Sequence, residues 1–342
     1  LLDSGDIITE ITGEGLAAIY TSGIGWMGNL TTIEPSKGYW LRAPDDTAEV
    51  WDSVETITYL IPDAIPTPSD YIYEIHEDAN LISYVGIDGV SVPDALPDDI
   101  QAIVSSIIGE GEATMNDPVL GWIGSLDALY KNKGYWLINS VTDVDGGIWN
   151  FSWESPDEEL LFNEGIIKEQ KRPEKLNNFK FIQSTKQGFY FIDKINLKDV
   201  SITSNDWIIA FNENVVVGAR RWNGRFTDIP AMGFDGYSST IGYCQNGDIP
   251  TFKLYIDRTG ELIDLEPSNV EPWEDLLTTI VSQLNQSAPI PENFEFYHPY
   301  PNPFNPSTLI KFSIPQESAV KIVAYDIAGR HVDTILSNRL DA

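Results

Sequence analysis

The chain repeats itself. Residues 7–41 align with residues 103–137 at a constant offset of 96 and without a gap, and fifteen of those 35 positions are identical. Gly13-Glu14-Gly15 returns as Gly109-Glu110-Gly111, and Gly25-Trp26-Met27-Gly28-Asn29-Leu30 returns as Gly121-Trp122-Ile123-Gly124-Ser125-Leu126. Lys37-Gly38-Tyr39-Trp40-Leu41 returns as Lys133-Gly134-Tyr135-Trp136-Leu137. A fixed offset over such a length marks a duplicated packing unit. The fold must therefore contain two copies of one small structure, the first in residues 1–56 and the second in residues 57–154.

The second copy is the more complete. Leu81 to Val85 reads as a strand. Pro97-Asp98-Asp99 is an acidic helix start, and Ile100, Ile103, Val104, Ile107 and Ile108 then fall at helical spacing. The spacing predicts a helix stopped by Gly109 or Gly111. Strands follow at Leu120–Ile123 and Gly134–Ile138, with a short turn over Ser125–Leu129. The first copy begins inside the equivalent helix, at Ile7, Ile8 and Ile11, and lacks the opening strand. Each copy thus reads as a small α+β unit with a β majority. The tryptophans at 26, 122, 40 and 136 sit beside glycines and within apolar strands, which favours core over a sugar-stacking platform. Gly38 and Gly134 read as turn or close-packing positions rather than a phosphate cradle.

Residues 155–177 are charged and aperiodic, as a linker is. From 178 to 284 many short strands alternate with Asn-Gly and Gly-Asp turns, which predicts a β-sandwich or barrel. Strands are expected at 179–183, 188–192, 207–211, 215–220, 240–244 and 252–255. A closing helix is expected over 271–284, with Trp273, Leu276, Leu277, Ile280 and Leu284 on one stripe. Residues 285–299 form a proline-bearing linker.

Charge excludes some partners. The chain carries 52 acidic and 21 basic residues, a net charge of −31. Such a field repels nucleic acid, whose binding requires cations to displace counterions from phosphate, and it disfavours an anionic membrane surface. No run approaches the ~18 apolar residues that a membrane helix needs, so no membrane insertion is expected. The single cysteine, Cys244, rules out an intramolecular disulfide. It lies on an apolar stretch, as a buried inert thiol does. Stability must then come from cores, and a chain that is 42% hydrophobic has material for two or three.

Catalytic constellations are missing from the sequence. His76, His298 and His331 are scattered, and no nucleophile elbow, zinc motif, Walker loop or dinucleotide fingerprint occurs. The best local cluster is in 206–248, where Asp228, Asp235 and Asp248 lie near glycines and calcium is the ion such oxygen-rich loops suit. Trp222 and Tyr237 are the aromatic ligand-binding candidates beside them. Asp143-Val144-Asp145-Gly146-Gly147 has the flavour of a calcium loop without its remaining ligands.

The end of the chain holds its most specific motif. Tyr300 leads into Pro301-Asn302-Pro303-Phe304-Asn305-Pro306-Ser307-Thr308, where prolines fix φ and bias their neighbours toward extended geometry. Strands are expected at 309–314, 320–325 and 332–336, with the turn Asp326-Ile327-Ala328-Gly329 between the last two. This segment resembles the C-terminal sorting domain of type IX secretion cargo, which carries both the Asn-Pro-Phe-Asn-Pro pattern and the Tyr-Asp-Ile-x-Gly-Arg turn. The resemblance covers about residues 300–342. It implies an immunoglobulin-like β sorting domain, partly present, within an internal piece of a longer secreted precursor. It further implies export through the type IX machinery to the cell surface or medium.

The expectation is therefore a mainly β, multidomain protein that is secreted or surface-bound. Its expected role is adhesin-like binding or structure, with extracellular polysaccharide or protein as partner. The alternatives are a non-catalytic carbohydrate-binding portion of a secreted hydrolase and a hydrolase with an acidic site in 178–284.

Overall fold

The two copies of the repeat fold into separate sheets with the same strand order. The computed structural model describes residues 8–42, 66–141, 147–154, 176, 178–198, 200–287 and 293–340. It forms two units, residues 1–286 and 287–342. In the first copy, β1 (Glu10–Gly13), β2 (Leu16–Thr21), β3 (Gly25–Gly28) and β4 (Trp40–Arg42) are ordered β3-β2-β1-β4. The second copy opens with β5 (Tyr73–Ile75), β6 (Asp78–Ser83) and β7 (Val90–Ser91), then the one-turn helices α1 (Val92–Ala95) and α2 (Asp98–Gln101). It continues with β8 (Val104–Ile108), β9 (Ala113–Asp117), β10 (Gly121–Gly124), β11 (Ala128–Leu129), β12 (Gly134–Asn139) and β13 (Trp149–Phe151). Its main sheet is ordered β10-β9-β8-β12-β6, the first copy's order with one strand added.

The shared glycines explain part of the shared fold. Gly28 and Gly124 have φ of +143° and +135°. A Cβ at Gly28 would stand 2.1 Å from the Ala17 carbonyl oxygen, and one at Gly124 would stand 2.3 Å from that of Ala113. The backbone of one strand lies where a side chain would begin, so only glycine fits. Gly38 and Gly134 meet each other, since a Cβ built on Gly134 would lie 3.0 Å from the Gly38 Cα.

The helix expected over Ile100–Ile108 is instead a single turn, α2, followed by strand β8. That strand is buried on both faces. Val104 and Ile107 enter the core beneath α1 and α2 with Tyr84, Leu96 and Trp153, while Ile108 enters a different core with Phe189 and Phe191. A two-sided strand is a nearly continuous apolar run, which mimics helical spacing. The first copy's Ile11 likewise belongs to a strand rather than a helix.

Residues 178–286 form two sheets. Their strands are β14 (Gln187–Ile192), β15 (Ile195–Asn196), β16 (Trp207–Asn212), β17 (Val215–Arg221) and β18 (Thr227–Met232). After these come β19 (Thr251–Ile256), β20 (Glu261–Pro267), β21 (Thr278–Val281) and β22 (Leu284–Gln286). One sheet is ordered β18-β14-β21 and the other β15-β22-β20-β19-β16-β17. Tyr190, Ile229 and Val281 from the first face Ile208, Phe252, Leu254 and Leu284 from the second across one core, a sandwich-like arrangement and not a closed barrel. The opposite face of β14 presents Phe189 and Phe191 to Met115, Ile123 and Trp136 of the second repeat. The three-stranded sheet is thus the middle layer of three, and every residue of β14 and β18 is buried.

Three further expectations change here. Residues 179–183 are not a strand, but Phe179 and Phe181 cover the outer face of the six-stranded sheet against Trp207, Ile209 and Phe211. Residues 240–244 hold the end of a 3₁₀ turn (Ser238–Thr240) and a lone bridge from Cys244 to Gly233. The closing helix over 271–284 is absent. Leu276 takes φ +62°, and β21 then pairs parallel to β14, with Phe189 opposite Thr278. The helical stripe is divided: Trp273, Leu277 and Leu284 serve the sandwich core, whereas Leu276 and Ile280 serve the core shared with the repeat.

In residues 287–342, β23 (Glu295–Phe296) pairs with β24 (Phe312–Ser313), and β25 (Ser318–Tyr325) forms an antiparallel hairpin with β26 (His331–Leu340). The expected strand over 309–314 shortens to β24, with Leu309 bridged to Tyr300. At the hairpin turn, Asp326 Oδ1 accepts from the backbone N–H of Ala328 and of Arg330, each at 2.9 Å, and Gly329 has φ +77°.

Candidate functional site

Two of the candidate aspartates are anchors on which the repeats dock. Asp228 lies on β18 and is 2% exposed. Its Oδ2 accepts from Ser125 Oγ of the second repeat at 2.7 Å and from Arg220 Nη2 at 3.0 Å. Arg220 reaches it from the neighbouring strand β17, also donating from Nε to the Asp228 carbonyl at 2.9 Å. The same Nη2 donates to the Gly111 carbonyl at 2.7 Å. Gln187 completes the attachment, accepting from Gly111 N–H at 3.1 Å and donating to the Gly109 carbonyl at 2.7 Å. Burial pushes the Asp228 carboxyl upward, and Arg220 and Ser125 oppose that shift.

Gly15 is the first-copy counterpart of Gly111, and its carbonyl is satisfied differently. It accepts from Asn29 Nδ2 at 3.3 Å within its own repeat, while Asn29 Oδ1 accepts from Ala17 N–H at 2.8 Å. Ser125 replaces that asparagine in the second copy, and the sandwich supplies the donor instead.

Asp235 plays the corresponding part for the first repeat. It pairs with Arg42, whose guanidinium also lies 3.3 Å from Glu10 and 3.6 Å from the centre of the Tyr237 ring. The Tyr237 hydroxyl donates to Glu10, and Thr240 Oγ1 donates to Asp235 at 2.6 Å. Burial raises the Asp235 pKa, but Thr240 and Arg42 outweigh it and hold the carboxyl below its ordinary range. Burial and Glu10 push the Tyr237 hydroxyl up to about 12.

The remaining candidates sit apart. Asp248 Oδ2 accepts from Gln245 N–H at 2.9 Å and Asn212 Nδ2 at 3.1 Å, closing a local turn. Trp222 packs at the margin of the sandwich core, and its backbone N–H donates to the Asp206 carbonyl at 2.8 Å. Among the described residues, no three His, Cys, Asp or Glu side chains gather so as to hold a metal ion. The Asp143-Val144-Asp145-Gly146 loop lies outside the described residues. Cys244 is buried, and burial pushes its thiol up to about 12, so it is held as an unreactive thiol. The Pro301–Pro306 segment is exposed throughout.

Three of the four repeated tryptophans serve cores, and Trp40 on β4 is half-buried outside them. Trp122 packs beside Tyr135 and donates from Nε1 to Gln101 Oε1 at 3.2 Å. Trp136 packs with Phe189 and Phe191, and Trp26 stacks edge-on against Tyr20 at 5.6 Å.

Arg42, Arg220 and Gln187 were not legible as site residues. For Arg42 a signal existed: it stands where the second copy has Ile138, a charge replacing an apolar side chain on a docking face.

Glu112, at the same docking face, has its carboxyl pushed up to about 7. Burial is the main cause, Arg220 and Lys133 oppose it, and Asp228 and Asp127 add to it. A raised carboxylate pKa means the folded state holds a proton that the unfolded chain has lost, so stability falls as pH climbs from about 4.5 to 7. Glu112→Gln is expected to be neutral at pH 4 and stabilising by about 1–3 kcal/mol at pH 8. Urea midpoints at the two pH values check this, and equal midpoint shifts at both would refute it.

No family model matches this chain, and neither a curated protein nor a solved structure does.

Proposed function

We propose that this is an exported binding or structural protein, in which residues 300–342 are the address and residues 1–286 the delivered module. The observation that carries the reading is the Asn-Pro-Phe-Asn-Pro segment, which is exposed and belongs to a unit separate from the repeats and sandwich. An export signal must be readable without unfolding its cargo, and an exposed segment in its own unit meets that need. Asp228, Arg220, Gln187, Asp235 and Arg42 are engaged in joining the repeats to the sandwich, which supports a scaffold more than a catalyst. No helix among the described residues is long and apolar enough to cross a membrane.

The test is to express the chain in a bacterium with type IX secretion, with and without residues 300–342. Export to the surface or medium is expected to require the tail, while the melting temperature of the first unit should move by less than a few degrees. Equal export without the tail would sink the address reading. A fall of more than about 10 °C would mean that the tail is part of the fold, since 1 kcal/mol shifts a domain of this size by only ~2–4 °C.

A further inference from the structure

The first repeat covers the outer edge of the second repeat's sheet. β6 ends that sheet, and its Leu81 and Ser83 backbone groups face away from β12. The Leu81 carbonyl accepts from Gly38 N–H at 3.1 Å, and Ser83 N–H donates to the Ser36 carbonyl at 3.1 Å. Leu81 N–H donates to Glu14 Oε2 at 3.0 Å. An edge strand left bare would offer these groups to other chains.

Glu14 sits at the β1–β2 turn, and its other oxygen meets His76. The His76 ring stands between two acceptors: Nε2 is 2.6 Å from Glu14 Oε1, and Nδ1 is 2.5 Å from the Glu77 carbonyl oxygen. A neutral imidazole has only one N–H, so both bonds together require the imidazolium. The geometry points to a pH-sensitive clasp, in which the His76 cation holds the Glu14 carboxylate and thereby the first repeat over the β6 edge.

The surrounding charges agree with the direction. The Glu77 carbonyl raises the His76 pKa most, burial lowers it, Glu14 raises it through both hydrogen bond and charge, and Lys37 lowers it. The net shift is upward from 6.5. A raised histidine pKa contributes stability that is complete below about 6.5 and is lost as pH rises through the folded-state value. The clasp is thus closed in mild acid and loosens in alkali. His76 is about half exposed, so the effect is local rather than global.

The experiment uses the full chain. His76 is one of three histidines, so its ring resonance can be assigned by substitution and titrated by NMR. Amide exchange at Gly38, Leu81 and Ser83 is followed over the same pH range and corrected for intrinsic base catalysis. His76 is expected to titrate above 6.5, with protection of those amides falling about two- to fivefold across its titration. Glu14→Gln should move the titration back toward 6.5, and His76→Gln should leave the protection flat with pH. A His76 pKa at or below 6.5, or protection that ignores the titration, would overturn the clasp.

Discussion

Arg220→Met is expected to destabilise the first unit by about 3–5 kcal/mol. The substitution leaves Asp228, 2% exposed, without its cation and leaves the Gly111 carbonyl without its donor. Removing one partner of a buried pair is costly because the other charge stays desolvated. Pairing Arg220→Met with Asp228→Asn removes that stranded charge while an amide can still accept from Ser125. The double variant is therefore expected to recover more than half of the loss. Urea unfolding of the two single variants and the double closes the cycle. A cost below about 1 kcal/mol for Arg220→Met would mean that the pair behaves as a solvent-screened surface contact.

Trp273→Ala should cost a similar amount by a different route. The ring is 1% exposed, and its Nε1 donates to the Ala231 carbonyl at 2.8 Å. It lies against two glycines: a Cβ at Gly233 would come within 2.3 Å of the ring, and one at Gly188 within 3.1 Å of Nε1. Truncation opens a cavity bounded by backbone, which cannot collapse to fill it, and strands a buried carbonyl. Losses of about 3–5 kcal/mol are usual for such a change, or a fall on the order of 10 °C in melting temperature. Trp222→Ala is the control, because its half-buried ring should cost only ~1–2 kcal/mol. Equal losses for the two would show that the sandwich core does not depend on Trp273 as its burial implies.

Both expected helices gave way to strands that serve two cores at once. Ile100 to Ile108 and Trp273 to Leu284 each place apolar residues at helical spacing, yet each supplies two different cores from alternate faces. Periodicity separates a helix from a strand only when one face of the strand meets water. Composition held a better clue in Thr278-Thr279-Ile280-Val281, a β-branched run that suits a strand more than a helix. Isolated turns were easier. The bounds of β14, β16, β17 and β19 fall within a residue or so of the expected strands, because Asn-Glu-Asn, Asn-Gly and Asn-Gly-Asp turns punctuate them.

By itself the sequence determined the duplication, the β majority and the local chemistry of the turns. These depend on residues close together in the chain, and a glycine that must admit a neighbouring backbone reads the same in both copies. Only the tertiary structure decided what the acidic residues do. Asp228 meets Ser125 across 103 positions, and Arg42 meets Asp235 across 193. A carboxylate's role is set by the cation that folding brings beside it, and with 52 acidic residues against 21 basic no spacing could nominate which pairs would form. The three-layer stacking was equally out of reach. It places Phe189 and Tyr190, adjacent in the chain, in two separate cores, and that division exists only once the second repeat has docked.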